Sequence, residues 1–417
     1  MIVLGLSRIS RLVQPSSLSW QAIHVAGTNG KGSISSYLSH LLSNGGIRCG
    51  RFTSPHLVDR WDCITVDEQV VRESLFRQVE EDVKSRNRKL EIGATEFELL
   101  TATAFEVFHR ERVEVGVVEV GVGGRLDATN VLDNVLVSVI AKIGVDHQSL
   151  LGNSIEAIAR EKGGIMKRGV PCVIDGTNCP KVLRVLQARA SEPAVGAPAV
   201  IVSPDETVKR YPQLSSVFQK LDSEPHQRAN MCCAVAAVRI AISKLRPTES
   251  VESLIPRLCD VKWLGRLQNL VIEPLTGRKE PVLVDGAHNP QSAQALANYV
   301  DRKLRRRFDS SITWVIAASR GKDLAQLFHP LIKAGDCVAT ASFGPVDGMP
   351  WVHAADPAEL AACVQSIGGI GKVASFGPDL VAALDWAGKT AQGGPLVVAG
   401  SLYLVSDLLR CLRKTRQ

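Results

Sequence analysis

Short apolar runs rich in β-branched residues recur along the chain, and each is followed by a segment with helical periodicity. Residues 113–120 (VEVGVVEV) and 135–143 (VLVSVIAKI) are the clearest of these runs. Strands that are apolar on both faces are typical of parallel sheets covered by helices on both sides. The alternation of strands and helices therefore predicts an α/β fold with mainly parallel sheets.

The length of the chain indicates how many such sheets it builds. Domains usually contain about 100–200 residues, so 417 residues favour two domains. A new unit of alternating strand-like and helical segments begins near residues 263–266. Residues 191–225 hold five prolines and much polar material, which predicts an irregular excursion. We expect one domain over 1–262, a linker at 263–267 and a smaller domain over 268–417.

The charge of the chain indicates an anionic partner. Its net charge is +7, with a basic run at residues 302–307. Nucleic acid, a membrane surface or a phosphorylated small molecule would each fit. The basic run lacks the interleaved aromatic residues of single-strand binding and fits a solvated helix end. The most apolar stretch, 390–406, is interrupted by two glycines and a proline. We therefore expect no nucleic-acid partner and no membrane partner.

The cysteines and the N-terminus bear on the cellular compartment. Ten cysteines lie scattered along the chain without a C-x-x-C pair, which is typical of reduced thiols inside a cell. The acid-free N-terminus fits either an organelle-targeting peptide or a folded helix over 2–13, whose apolar residues stand near helical spacing. We expect a cytoplasmic protein, with a mitochondrial share left open.

A glycine-rich segment, GTNGKGS at 27–33, lies between a predicted strand and a predicted helix. Its glycines allow backbone N–H groups to approach phosphate oxygens, Lys31 adds a positive charge, and Ser33 can reach a magnesium ion. The spacing differs from G-x-x-x-x-G-K-[ST], because only two residues separate Gly27 from Gly30. A glycine-rich turn without a ligand is the alternative. The strand–loop–helix context favours a nucleotide phosphate site.

Polar residues follow several of the predicted strands. Glu119 ends an apolar run, and Asp146 and His147 follow the next strand. Parallel strands would bring these ends to one edge, where α/β sheets bind ligands. Taken alone, His147 fits a hydrogen-bonded loop residue better than a ligand of Mg²⁺, which prefers oxygen. Lys162 alone fits a solvated helix lysine. Asp285 either accepts from ribose hydroxyls or caps a helix.

Four longer motifs occur in one order along the chain, namely HVAGTNGKGS (24–33), FTSPHL (52–57), VEVGVGGRLDATN (118–130) and VDGAHNP (284–290). Together they resemble the folylpolyglutamate synthase and dihydrofolate synthase branch of the Mur ligase family. The resemblance extends over nearly the whole chain, from LGLSR at 4–8 to GSLY at 400–403. Because residues 5–8 already match a family motif, it favours a folded N-terminal helix over a targeting peptide. It implies a two-domain Mur-ligase-like α/β architecture. A P-loop ATPase domain with a mainly parallel sheet would precede a smaller Rossmann-like C-terminal domain.

Finer features divide the branch. TEFE at 95–98 and GGRLDATN at 123–130 look like dihydrofolate synthases, and DHQ at 146–148 and GMPW at 348–351 look most like the fungal ones. The chain departs from the family at Leu264, where a proline usually stands in a W-P-G-R linker. Loss of the proline predicts a less rigid hinge.

The resemblance also assigns roles to individual residues. Lys31, His288 and Lys162 would be catalytic, and Lys162 corresponds to the lysine that is carbamylated in several members. Two magnesium ions would be bound by Ser54, Glu119 and His147. The ATP-binding residues would be Thr28, Asn29, Gly30, Lys31, Gly32, Ser33, Asn230, Arg266 and Asp285. The residues contacting pteroate would be Gly5, Leu6, Ser7, Arg8, Thr95, Glu96, Phe97, Glu98, Leu126, Asp127 and Ala128.

The implied activity is ATP-dependent amide formation between 7,8-dihydropteroate and L-glutamate, carried out by a monomer. A polyglutamylating or bifunctional enzyme, which adds γ-linked glutamates to tetrahydrofolates, is the nearest alternative. A nucleic-acid-binding ATPase is suggested only by the basic run at 302–307. An inactive family member is disfavoured, because every expected phosphate and metal ligand is present.

Overall fold

The computed structural model describes residues 4–262, 264–306 and 311–415. The chain forms two compact units. Unit 1 consists of Met1–His56 and Trp61–Lys262, and unit 2 consists of Leu57–Arg60 and Trp263–Gln417. Three parts of the sequence predictions lie outside the described residues, namely residues 2–3 of the N-terminal helix, Trp263 in the linker and Arg307 in the basic run. The helix predicted over 2–13 is shorter than expected, because residues 4–6 are not helical and the helix spans Ser7–Leu12.

Unit 1 is built on one sheet of eight strands. They are β1 (Gln21–Ala26), β2 (Cys49–Phe52), β3 (Ile64–Val66), β4 (Gln69–Val70), β5 (Val115–Glu119), β6 (Val135–Ile140), β7 (Cys172–Asp175) and β8 (Ala199–Val202). Their order across the sheet is β4-β3-β2-β5-β1-β6-β7-β8. The six strands from β2 to β8 in that order are parallel, whereas β3 and β4 are antiparallel to their neighbours.

Helices cover both faces of this sheet, as its apolar strands require. They are α1 (Ser7–Leu12), α2 (Lys31–Asn44), α3 (Glu73–Lys89), α4 (Glu96–Arg110), α5 (Gln148–Leu151), α6 (Ile155–Gly163), α7 (Pro180–Ser191), α8 (Pro204–Arg210), α9 (Gln213–Lys220) and α10 (Pro225–Leu245). Short 3₁₀ turns occur at Pro15–Leu18, Ala128–Val131, Val251–Ser253 and Ile255–Asp260. No helix among the described residues is long and apolar enough to cross a bilayer.

The central strand β1 shows how the sequence builds the two faces. Its side chains alternate, so Ile23 and Val25 enter the core that contains residues of α2 and α10. Ala22 enters the core on the α4 side. His24 lies on the same face as Ala22 and is fully buried. A histidine in this position must have hydrogen-bond partners inside the protein.

The prediction of an irregular excursion over 191–225 is wrong. The segment contains β8, α8 and α9. Pro204 stands in the first turn of α8, where the missing N–H costs nothing and the fixed φ favours the helix. Prolines that begin helices were counted as helix breakers, and the short apolar run that forms the edge strand β8 has only four residues, so it was overlooked among the polar residues around it.

Unit 2 is built on a second sheet, of six strands. They are β9 (Gln268–Leu270), β10 (Val282–Val284), β11 (Thr313–Ile316), β12 (Cys337–Thr340), β13 (Val373–Ser375) and β14 (Leu396–Ala399). The order is β13-β12-β11-β14-β10-β9, and only β9 is antiparallel to its neighbour. The helices are α11 (Glu273–Thr276), α12 (Pro290–Val300), α13 (Leu324–Phe328), α14 (Pro357–Gln365), α15 (Leu380–Ala391) and α16 (Leu402–Lys414), and the π-helix Asp301–Arg305 continues α12.

One buried carboxylate organises the core of unit 2. Asp336 is fully buried and accepts hydrogen bonds from both terminal nitrogens of Arg305. It also accepts from the N–H of Ile312, the N–H of Lys333 and the Trp314 indole. Arg305 belongs to the basic run that predicts a solvated helix end. For this residue the prediction is wrong, because its charge compensates a carboxylate in the interior.

Unit 2 also recruits a short segment from far away in the sequence. The Asp59 carboxylate binds the Arg413 guanidinium through both of its oxygens, and the Val58 carbonyl accepts from Arg410 at 2.9 Å. Leu57 packs against the unit 2 core. Residues Leu57–Arg60 are therefore part of unit 2, although the chain on either side of them belongs to unit 1.

Candidate active site

The carboxyl ends of four adjacent strands meet at one edge of the first sheet. In the order β2, β5, β1 and β6, these ends lead to Ser54, Glu119, the glycine-rich loop, and Asp146 with His147. Glu119 is the last residue of β5 and pairs with Val25 of β1. Ligands of open α/β sheets bind at this edge. The topology thus brings the predicted phosphate and metal residues of unit 1 together.

The glycine-rich loop is held by the segment that follows β6. The N–H groups of Thr28 and Asn29 donate to the Lys142 carbonyl at 2.8 and 3.1 Å. The Thr28 hydroxyl and the Gly144 backbone exchange two hydrogen bonds of 3.0 Å. The loop is therefore fixed by the protein itself, which lowers the entropic cost of binding an anion.

Gly30 is required at its position for two independent reasons. Its φ is +88°, in the left-handed region that favours glycine. A Cβ atom there would also lie 2.4 Å from Asn230 Oδ1. Asn230 is 5% exposed and reaches this loop from α10. Its contact with adenine stays a prediction, and its contact with the loop is a feature that the sequence did not indicate.

Lys31 begins α2 and joins the loop to the end of β5. Its Nζ lies 3.6 Å from Glu119 Oε1 and donates to the Thr28 carbonyl at 3.3 Å. Glu119 is 4% exposed, so its charge needs a positive partner. The N-terminus of α2 adds the positive end of a helix dipole. The arrangement suits the binding of phosphate oxygens beside Lys31.

Lys162 is not the solvated helix lysine that its local sequence predicts. It is 5% exposed at the end of α6, and its Nζ donates to the Gly27 carbonyl at 2.8 Å. Burial, and next the nearby charge of Lys31, lower the pKa of Lys162 to about 7. Asp146, Asp127 and Glu119 act in the opposite direction. A lysine amine with this pKa is partly neutral, and therefore nucleophilic, near pH 7.

The metal ligands predicted from the resemblance share this edge. Glu119 is buried, Ser54 is partly exposed, and His147 is exposed with a φ of +52°. The described residues contain no group of three His, Cys, Asp or Glu side chains that could hold a metal alone. Mg²⁺ typically takes one or two carboxylates and completes its shell with water and phosphate oxygens. One buried carboxylate beside a phosphate loop fits that pattern.

The residues predicted to contact pteroate come from separate segments that the fold joins. Arg8 Nε donates to Glu98 Oε2 at 2.9 Å, which ties α1 to α4. The Gly5 N–H donates to the Leu126 carbonyl at 3.1 Å. Thr95 and Glu98 form a capping box at the start of α4. The remaining members lie on the same segments, namely Leu6 and Ser7 at the start of α1, Glu96 and Phe97 in α4, and Asp127 and Ala128 after Leu126.

Phe97 gives this group an aromatic face. Its ring stacks on Phe52, with centroids 6.3 Å apart and planes inclined by 22°. A Cβ atom on Gly121 would lie 2.5 Å from the ring, so the loop after β5 can approach Phe97 only with glycine there. A flat apolar surface beside backbone amides suits a bicyclic aromatic ligand.

Asp127 is 1% exposed, and hydrogen bonds within the chain occupy its carboxylate. Oδ1 accepts from the Thr129 N–H at 3.0 Å and the Thr129 hydroxyl at 2.6 Å, and Oδ2 accepts from the Val122 N–H at 2.8 Å. Burial raises the pKa of Asp127, and these hydrogen bonds oppose the rise. Direct contact of Asp127 with pteroate stays a prediction.

In unit 2, Asp285 follows β10 and is 8% exposed. Its oxygens accept from the N–H groups of Leu267 and Ala287, each at 2.8 Å. Burial raises the pKa of Asp285, while the charge of Arg266 opposes the rise. The alternative that Asp285 caps a helix is wrong, because Asn289 caps α12. Asp285 instead joins the linker residue Leu267 to the loop after β10.

The other residues of this loop and linker are also placed. His288 Nδ1 lies 2.8 Å from the Gly286 carbonyl, in the loop that opens α12. Leu264 is exposed, and Gly265 takes a φ of +70°. The Gly265 N–H donates to Gln268 at 2.7 Å. A hydrogen bond to the first strand of unit 2 thus holds the linker at the residue that follows Leu264.

Comparison with known proteins decides the family. Residues 268–411 match the family model described as "Dihydrofolate synthetase, C-terminal domain". The chain is 36% identical to the "Probable dihydrofolate synthetase" of Schizosaccharomyces pombe, over 99% of both chains. It is 35% identical to the dihydrofolate synthetase of Saccharomyces cerevisiae, over 98% of both chains. The chain belongs to the dihydrofolate synthetase and folylpolyglutamate synthase family.

Solved structures of this family share the fold. E. coli FolC in complex with DHPP and ADP is 25% identical, with a TM-score of 0.79 over 100% of this chain and 95% of that one. A bifunctional folylpolyglutamate synthase/dihydrofolate synthase from Yersinia pestis, complexed with AMPPNP and a Mn ion, is also 25% identical. Its TM-score is 0.75, over 99% of this chain and 94% of that one. The two-domain α/β fold expected from the resemblance is confirmed, and members of the family are ATP-dependent ligases.

Proposed function

We propose that the protein ligates L-glutamate to 7,8-dihydropteroate to give 7,8-dihydrofolate, and that the ligation is coupled to cleavage of ATP to ADP and phosphate. Two features support this reaction. The chain matches two fungal dihydrofolate synthetases over almost its entire length. The structure also gathers a phosphate loop, a paired lysine and carboxylate, and an aromatic surface in unit 1.

The reaction proceeds in two steps. An oxygen of the benzoate carboxylate attacks the γ-phosphorus, the bond to the β-phosphate breaks, and ADP leaves from the acyl phosphate. The α-amine of L-glutamate then attacks the acyl carbon. The tetrahedral intermediate expels inorganic phosphate, and the amine loses a proton to form the amide. Both steps bring anions together, so positive charge is needed where the phosphate is transferred.

Lys31 supplies such a charge within the protein. Its ammonium group stands at the start of α2, beside backbone amides of the glycine-rich loop. ATP phosphates bound there would replace part of its interaction with Glu119. Thr28, Asn29, Gly30, Gly32 and Ser33 would then supply N–H and hydroxyl donors. In unit 2, Arg266 and Asp285 would contact ATP. His288 would contact the phosphates or the incoming amino acid.

Divalent metal use is consistent with the Mn-containing relative. In this chain, Glu119, Ser54 and His147 would hold two magnesium ions together with the ATP phosphates. When bound, Mg²⁺ neutralises phosphate charge and polarises the transferred group. Lys162 would bind CO₂ as a carbamate, which adds a carboxylate at the same edge. Its buried, partly neutral amine supports this modification.

One assay tests the proposal. The purified protein is supplied with ATP, Mg²⁺ and L-glutamate, and ADP release is followed with 7,8-dihydropteroate or with tetrahydrofolate as acceptor. We expect turnover with dihydropteroate. Turnover with tetrahydrofolate alone would identify a folylpolyglutamate synthase, and turnover with both would identify a bifunctional enzyme like the Yersinia pestis relative. Absence of turnover with either acceptor would overturn the proposal.

A further inference from the structure

Three buried side chains from distant parts of unit 1 form a continuous hydrogen-bonded chain. His24 lies in β1, Asp127 follows the loop after β5, and Thr129 lies in the 3₁₀ turn Ala128–Val131. His24 Nε2 is 2.8 Å from Thr129 Oγ1, which is 2.6 Å from Asp127 Oδ1. His24 and Thr129 are 0% exposed, and Asp127 is 1% exposed. Nothing in the proposed reaction requires His24 or Thr129 to touch a substrate.

Hydrogen-bond chemistry fixes the direction of this chain. The Thr129 N–H also donates to Asp127 Oδ1, which identifies this oxygen as an acceptor. The single hydroxyl proton of Thr129 therefore points to Asp127. The Thr129 oxygen must then accept from His24, so the proton of the neutral imidazole is on Nε2. In agreement, His24 Nδ1 is buried and makes no hydrogen bond with the described residues, so a proton there would lack an acceptor.

The chain of hydrogen bonds ends on the loop from Gly121 to Leu126, which follows Glu119 and leads to the predicted pteroate contacts Leu126 to Ala128. The other oxygen of Asp127 accepts from the N–H of Val122, the residue that follows Gly121 in this loop. Gly121 is the residue against which Phe97 packs. Leu126, at the far end of the same loop, accepts from Gly5. The orientation of Asp127 therefore determines where the loop lies relative to Phe97 and α1.

We infer that His24 and Thr129 are positioning residues, which hold the carboxylate of Asp127 so that the loop from Gly121 to Leu126 is shaped to receive the pterin substrate. This inference rests on the proposed function. It assigns a role to a histidine that has no exposed atom and to a threonine that acts through a neighbour. The glycine-rich loop is held by different residues, Lys142 and Gly144. ATP binding should therefore be independent of this chain of hydrogen bonds.

The test separates KM for the two substrates in the full-length enzyme. Thr129→Val keeps the shape of the side chain and removes the hydroxyl, and Thr129→Ser keeps the hydroxyl. A hydrogen bond to a charged group is worth enough to shift binding about tenfold or more. We expect T129V to raise KM for dihydropteroate by about that factor with KM for ATP unchanged, and T129S to resemble the wild type. Thr103→Val is the matched control, since Thr103 is equally buried but bonds only to its own helix.

Several results would overturn the inference. They are equal changes in both KM values, no change in either, loss of activity in T129S as large as in T129V, or the same selective change in T103V. If T129V does not fold, His24→Phe removes the donor while filling the ring's volume, and it must raise KM for the pterin substrate alone. If the wild type rejects dihydropteroate, the proposed function fails, and the same variants are compared with tetrahydrofolate.

Discussion

The ammonium group of Lys31, at the start of α2, lies 3.6 Å from the carboxylate of Glu119, at the end of β5. The pair joins the residue expected to bind phosphate to the residue expected to bind metal. Each group compensates the other's charge while no ligand is bound, which makes burial of Glu119 tolerable. The pair must be loosened for a triphosphate and a cation to bind, so both residues should matter for catalysis.

Lys31→Ala should abolish ligation while the fold is retained. Removal of one charge-stabilising group from an active site typically costs about 100-fold or more in turnover. The measurement is ADP release with dihydropteroate, ATP and L-glutamate, with the circular dichroism spectrum as the check on folding. Arg88→Ala is a suitable control, because Arg88 forms an exposed ion pair with Glu81 on α3. Near-normal turnover of K31A would contradict the assignment.

Gly30→Ala should prevent nucleotide binding. The new Cβ would meet Asn230 at 2.4 Å and would impose a side chain on a φ of +88°. Gly46→Ala is the matched control, since Gly46 also takes a positive φ, +70°, but no atom lies within 4 Å of its added Cβ. Titration with a non-hydrolysable ATP analogue should show binding to G46A and none to G30A. Equal affinities would show that the loop adapts.

Lys162 should form a carbamate that depends on pH. Its pKa of about 7 means that the neutral amine, which reacts with CO₂, becomes the main form as pH rises through that value. ¹³C NMR of the metal-free protein with ¹³C-bicarbonate should show a carbamate signal that grows between about pH 6 and 8. Lys162→Arg should lack the signal. Its persistence in K162R would assign it to another amine.

His24 should make the protein sensitive to acid. Burial, and next the charge of Lys167, lower the pKa of His24 to about 3 from its ordinary value of 6.5. Between these values the unfolded chain binds a proton that the folded protein does not. Stability is therefore lost as pH falls through this window, by up to about 1.4 kcal/mol per pH unit. Denaturation midpoints of H24F should fall less steeply than those of the wild type, and parallel slopes would refute this origin.

Asp336→Ala should destabilise unit 2 strongly. The substitution removes the buried carboxylate bound by both terminal nitrogens of Arg305, which keeps only its pair with the more exposed Asp301, and it removes the acceptor of the Trp314 indole. Breaking a buried pair in this way typically costs about 3–5 kcal/mol. Asp385→Ala is the control, because Asp385 pairs with Lys389 on the surface of α15, where such pairs contribute about 0.5 kcal/mol or less. Calorimetric unfolding should show a large decrease in Tm for D336A alone.

Much of this fold could be predicted, because its parallel strands are short apolar runs between glycine or polar residues. The strands β5 and β6 fall within the predicted runs at 113–120 and 135–143. β2 was not predicted, since Arg51 interrupts its apolar pattern. That charge is compensated inside the protein by Glu68 and by hydroxyls on α2, which are partners that no local pattern reveals.

The candidate site was predictable where its residues stand next to one another in sequence. The glycine-rich loop and Glu119 carry their chemistry locally, and the sheet order then brings them together. His24 and Thr129 were not recognised, because their bond joins residues 105 positions apart. A histidine inside an apolar strand was the available signal, since a buried imidazole requires a partner.

The segment Leu57–Arg60 has a practical consequence for cutting the protein into pieces. A fragment that begins at residue 263 lacks Asp59, the carboxylate that binds Arg413 in α16. A fragment that ends at residue 262 carries those four residues without their partners. No single cut in the polypeptide separates the two units cleanly. Exchange of the C-terminal unit between relatives would have to transfer a tetrapeptide from the N-terminal third of the gene as well.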